Sequence, residues 1–189
     1  MADTAPRLGK RMTLREFLDW EERQPGKFEF IGGFVRMMTG GTRDHSTIKS
    51  NIVSALKERL RGRPCRAFDS DVKVLSANGE SHYPDATVDC GDGAGDLTHA
   101  IEPRIVFEVL SRSTRQSNLD EKLPSYQATP SIKEIVFVEP NRMHLMVWRR
   151  NADGWQEDEV VRPDEPLALE SIGVSLTMTQ IYEDVTFEG

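Results

Sequence analysis

Cysteine is scarce: Cys65 and Cys90 are the only two in 189 residues, too few for the disulfide framework that staples small secreted domains. No stretch approaches the roughly 18 consecutive apolar residues that a membrane span needs, and the mean hydropathy is −0.50. The opening residues, MADTAPRLGKRM, lack the apolar core of a secretory signal. Metal-binding spacings of the CxxC or HxxxH kind are missing too, so Cys65, Cys90, His82 and His99 form no zinc pattern, and zinc is rejected. Repeats, low-complexity tracts and linkers are also lacking. These absences predict a soluble, cytoplasmic protein. Its length fits one domain over residues 1–189, with 1–11 as a flexible lead.

Positive charge is also short overall, with a formal net charge of −7. The deficit is local. Residues 151–189 hold ten acids against one base, Arg162, whereas residues 1–150 hold 23 bases against 21 acids. Lys57, Arg59, Arg61, Arg63 and Arg66 crowd one short stretch. A nucleic-acid partner is therefore compatible with the first 150 residues, although a solvated helix end explains the same cluster equally well.

What is present is an ordered set of α and β signals. Thr13 with Glu16 three residues on predicts a capped helix within 12–25, ended by Pro25-Gly26. FEFIGGFVRMM predicts a hairpin turning on Gly32-Gly33, with Phe28 and Phe30 on one face and Glu29 and Ile31 on the other. Ile48, Ile52, Leu56 and Leu60 at four-residue spacing predict the longest helix over 43–61. Strands follow over 66–75, 83–90 and 104–110, the last two separated by a Gly/Asp-rich loop. A helix is expected over 117–128, strands over 135–138 and 145–148, and a short helix over 178–184. The fold class is α/β or α+β.

Three positions carry chemistry together: Asp85, Glu108 and Lys122. Asp85 follows Pro84 at a strand start, where proline costs no ladder bond. Glu108 lies inside the apolar run IVFEVL, where an unpaired carboxylate would cost several kcal/mol, on the order of its desolvation penalty. A divalent cation is the obvious partner. Two carboxylates on neighbouring strands, with the main-chain carbonyl of Val109, make a hard-oxygen set suited to Mg²⁺. Each residue also has a plain structural use: a turn for Asp85, a solvated helix position for Lys122, an exposed strand site for Glu29, a helix-start contact for His45.

The ordered segments FEFIGGFVRMMTGGT, His45 at a helix start, YPD, FEVLSRST, EKLPSY and KEIVFVE resemble the restriction-endonuclease-like family numerous in cyanobacteria, within the PD-(D/E)XK nuclease superfamily. The resemblance covers roughly residues 12–155. It implies a restriction-endonuclease-like core, a mixed central sheet flanked by helices, with an N-terminal hairpin and extra C-terminal strands. Asp85 and Glu108 match the two acidic signature positions. Leu110 stands where the signature has lysine, and Lys122 matches a helix lysine that replaces it. Glu29 matches the hairpin glutamate and His45 the helix-start histidine; Tyr126, four residues after Lys122, shares its helical face. Asn118 departs from the family's aspartate and should orient Lys122 less firmly, and Pro124 suits a helix only in its first turn.

The expected function is a Mg²⁺-dependent (or Mn²⁺-dependent) endonuclease hydrolysing DNA phosphodiester bonds. Asp85, Glu108 and Val109 would hold the metal, with Lys122, Glu29 and His45 completing the catalytic group. Arg112 and Arg115 would meet the phosphate, and the protein would be a homodimer. The alternative is a catalytically silent nuclease fold that serves as a binding or dimerisation module.

Overall fold

The computed structural model describes residues 11–111, 115 and 118–187. The expected flexible lead, Arg11 apart, and Arg112 lie outside these residues. Helix α1 (Leu14–Glu21) begins with the predicted capping box, in which the Thr13 N–H donates to Glu16 Oε2 at 2.8 Å and the Thr13 hydroxyl accepts from the Glu16 N–H. Strands β1 (Phe28–Ile31) and β2 (Phe34–Met37) form the hairpin. Gly32 and Gly33 turn it at φ +59° and +86°, the left-handed region open to glycine. Helix α2 spans Arg43–Arg59.

The strand expected over 66–75 is in fact two, β3 (Arg66–Asp69) and β4 (Val74–Leu75), in different sheets. Asp69 breaks it: its Oδ1 accepts the Asp71 N–H at 3.0 Å and turns the chain. There follow β5 (Ser81–His82), β6 (Ala86–Asp89) and β7 (Pro103–Val109). The helix expected over 117–128 opens as a π-helical turn, Asn118–Lys122, and continues as α3 (Leu123–Ala128). Pro124 falls in the first turn of α3, where its missing N–H costs nothing. Strands β8 (Glu134–Val138), β9 (Leu145–Asn151), β10 (Gly154–Val160), β11 (Pro166–Leu169) and β12 (Val174–Thr177) lead to α4 (Met178–Ile181).

The main sheet has six strands in the order β10-β9-β8-β7-β6-β3. β7 and β8 run parallel, and the other pairs are antiparallel. A smaller sheet, β2-β1-β5-β4, lies beside it, with Phe17 of α1 packed among Phe28 and Phe30. The mixed α/β architecture with N-terminal hairpin and added C-terminal strands is the expected one.

Period-two alternation along β7 places the chemistry. Ile105, Phe107 and Val109 join the core under α2, while Val106 and Leu110 join the layer that holds Tyr126 of α3. Glu108 shares that second face. The acid-rich C-terminal region seals the α2 side with Leu167, Leu169, Leu176 and Ile181. Cys65 and Cys90, too few for a framework, do meet: the β3–β6 register sets Arg66 opposite Asp89, and the next pair outward closes as a disulfide. Among the described residues no helix is long and apolar enough to cross a membrane.

Candidate active site

Asp85 immediately precedes β6, and the β6–β7 register pairs Ala86 with Phe107, so Asp85 comes beside Glu108. Asp85 Oδ2 accepts the Val109 N–H at 2.8 Å and lies 3.3 Å from His45 Nε2. That contact with Asp85, against some desolvation, raises the imidazole above its ordinary pKa. His45 reaches it because Gly41 leaves room: a Cβ there would stand 2.7 Å from His45 Nδ1.

Glu108 is only 3% exposed. Its Oε1 accepts the Tyr126 hydroxyl at 2.6 Å and the Lys122 ammonium at 3.1 Å. Lys122 also lies 2.8 Å from Glu29 Oε1, which accepts the Tyr83 N–H at 3.1 Å. Lys122 and Tyr126, four residues apart, thus converge on one carboxylate oxygen from one helical face. Burial pushes the Glu108 carboxyl up, and repulsion from Asp85 and Glu29 adds to it, with Lys122 opposing. Burial alone would lower the Lys122 ammonium, but Glu108 and Glu29 outweigh it and hold it above the ordinary lysine value. The ammonium is a fixed cation between two sheets.

Glu29, His45, Asp85, Glu108, Val109 and Lys122 line a single cavity of about 290 Å³. Among the described residues no group of three or more His, Cys, Asp or Glu is placed to hold a metal ion. Mg²⁺ does not need such a group, since it keeps several waters and binds through one or two carboxylates. Asp85 Oδ1 and Glu108 Oε2 accept no hydrogen bond among the described residues. These two carboxylate oxygens lie one just before β6 and one on β7, and Asp85 and Glu108 offer hard oxygen ligands of the kind a divalent cation takes.

The family model for Uma2, described as "Putative restriction endonuclease", matches residues 14–179. The chain belongs to the Uma2 family. An uncharacterized Synechocystis protein, slr1290, is 30% identical over 179 residues, covering 94% of each chain. A second, sll1609, is 27% identical over 134 residues, which is 69% of this chain and 76% of the relative. A crystal structure of an Anabaena variabilis protein described as a "putative nuclease" superposes with a TM-score of 0.72 at 21% identity, over 90% of this chain and 97% of that one. The fold is thus nuclease-like.

Of the two departures in this Uma2 chain, Leu110 gains a physical reason. Leu110, in the signature lysine's place, is 1% exposed and packs with Val106 and Ile135, so an ammonium there would enter an apolar layer. Asn118 lines the cavity, buried, and its Oδ1 has no hydrogen-bond partner among the described residues. Glu29 and Glu108, rather than Asn118, orient Lys122. The sequence reading missed Tyr83, whose N–H fixes Glu29, and Gly41, which the pair of glycines in MTGGT could have signalled.

The basic cluster separates in space. Arg59 bonds Gln180 and Arg63 bonds the Ile172 carbonyl, fastening the C-terminal segment, whereas Lys57, Arg61 and Arg66 are exposed. Arg115 forms an ion pair with Glu139.

Proposed function

We propose that the cavity is the active site of a metal-dependent endonuclease that hydrolyses phosphodiester bonds in DNA. The observation that carries this reading is the approach of Lys122 to Glu108 from a separate helix, which restores beside two strand carboxylates the ammonium that Leu110 removes. Mg²⁺ or Mn²⁺ held by Asp85, Glu108 and the Val109 carbonyl would supply Lewis acidity toward the phosphate.

The chain's own groups do the rest. Lys122, kept charged by its two carboxylates, donates to the attacking water and offsets charge that develops on the phosphate. Glu29 and Tyr126 are positioning residues: one holds the ammonium, the other fixes Glu108 Oε1. His45, its basicity raised by Asp85, presents a proton at the cavity edge. Arg112 and Arg115 on the segment after β7 complete the phosphate contacts, Arg115 by exchanging its Glu139 partner for the phosphate, and a homodimer brings two such sites to the two strands of a duplex. Light scattering that reports a monomer would remove the dimer from this scheme.

The decisive experiment is nicking of supercoiled plasmid over a series of Mg²⁺ and Mn²⁺ concentrations. Wild type should nick, and Asp85→Ala should lose the activity by roughly a hundredfold or more, the scale of a lost transition-state contact. Equal behaviour of the two proteins at every metal concentration leaves the silent binding module as the reading.

A further inference from the structure

Helix α2 leaves the cavity at His45 and carries a row of side chains at four-residue spacing: His45, Lys49, Val53, Lys57. Such a row forms one continuous ridge on a helix surface. The adjacent row holds Ser50 and Ser54, both exposed. Lys49, Ser50, Val53, Ser54 and Lys57 line a second groove of about 290 Å³ together with Asp69. Lys49 Nζ bonds the Ser70 hydroxyl at 3.2 Å, and Lys57 is exposed. Of the nearby acids, Asp71 is taken by Lys27 and Glu58 lies 3.9 Å from Arg59, which leaves Asp69 as the groove's own counter-charge.

We propose that this face of α2 is a track for the backbone of one DNA strand as it leaves the cavity. The assignment rests on the nuclease reading of the cavity and extends it to residues outside the cavity. Lys49 and Lys57 meet phosphates as charges, and the two serine hydroxyls donate between them. The spacing suits this partner. At 1.5 Å per residue, Lys49 lies about 6 Å and Lys57 about 18 Å along the axis from His45. At 3.4 Å per nucleotide these are roughly two and five nucleotides from the bond to be cut. Val53 forms an apolar floor, which leaves the contacts to phosphate and makes the track indifferent to base sequence.

The test is fluorescence anisotropy of a labelled duplex of about 20 bp, in EDTA, from roughly 50 to 200 mM salt. Wild type is compared with Lys49→Gln/Lys57→Gln, with Lys57→Gln alone, and with Lys133→Gln, which removes the same charge from a residue that lines neither the cavity nor the groove. Losing two phosphate contacts should make the slope of log K against log salt shallower by about 1.8 and weaken binding about 60-fold at 0.1 M salt. Lys57→Gln, at an exposed position that cannot disturb packing, should show about half the slope change, and Lys133→Gln none. A wild type that fails to bind at low salt, or a double variant that keeps the wild-type slope, overturns the track. Plasmid nicking separates the two readings. Loss of nicking in Asp85→Ala with no effect of the lysines fells the track alone. Lysine-dependent binding with no nicking fells the chemistry and leaves the track standing.

Discussion

Replacing Lys122 by methionine should destabilise the protein in a way that depends on pH. The ammonium sits 2.8 Å from Glu29 Oε1 and 3.1 Å from Glu108 Oε1, and all three side chains are buried. Methionine keeps the volume and removes the charge. Two carboxylates are then left in low dielectric, with the Tyr126 hydroxyl and the Tyr83 N–H as the remaining donors among the described residues. Removing one partner of a buried ion pair costs about 3–5 kcal/mol, roughly 6–20 °C in melting temperature for a chain of this size. Glu108 is already pushed above the ordinary glutamate value of 4.5, and loss of Lys122 pushes it further. A carboxyl with a raised folded pKa contributes stability below its unfolded pKa and loses it as pH rises through the folded value. The deficit should therefore be smaller near about pH 5 and larger near about pH 8, and it keeps growing until pH passes the raised value of the variant. Circular dichroism melts in EDTA at the two pH values measure it. The double variant Glu108→Gln/Lys122→Met should recover more than half of the loss, because a neutral pair replaces the stranded charge. A variant as stable as wild type at the higher pH, or a deficit equal at both, refutes the electrostatic account of the site.

Three further outcomes follow from the same geometry. Tyr126→Phe removes the 2.6 Å bond to Glu108 Oε1 and should cost about 1.5–3 kcal/mol, the range for a hydrogen bond to a charged group; an unchanged urea midpoint would contradict it. Metal ligands must be ionised, and Glu108 is raised, so Mn²⁺ affinity by calorimetry should climb with pH through neutrality by up to tenfold per unit; a flat profile would mean that Glu108 is not a ligand. The Cys65–Cys90 bridge spans a separation of 25 residues. Changing both to serine should cost roughly 3 kcal/mol by chain entropy and make the melting temperature insensitive to dithiothreitol.

Residues whose neighbours in sequence are also their partners in space were readable beforehand. Thr13 and Glu16 cap each other within one turn, and Gly32-Gly33 marked its hairpin because a left-handed pair has few other uses. Glu108 stood out because a carboxylate in an apolar strand demands a compensating cation. The remainder needed three dimensions. Val72 and Val74 alternate like a strand, and nothing local shows that Asp69 will cap the Asp71 N–H and send β4 into the other sheet. Ser81–His82 has two residues and no pattern, although it bridges β1 and β4. The π-helical turn before Pro124 has no periodic signature, and the pairing of Cys65 with Cys90 follows from the β3–β6 register, not from their spacing. The basic cluster misled by proximity, since helical geometry and the C-terminal segment send its members in different directions.

The meeting of Glu29, Glu108 and Lys122 has a consequence for the newborn chain. One residue comes from the hairpin, one from the central sheet and one from the helix beyond it, so the ammonium is gripped only when all three segments have docked. A ribosome-bound fragment that stops short of Lys122 holds both strand carboxylates and no cation of its own between them. The order in which the residues leave the ribosome thus makes the cation the last of the three to arrive, and the carboxylates wait for it.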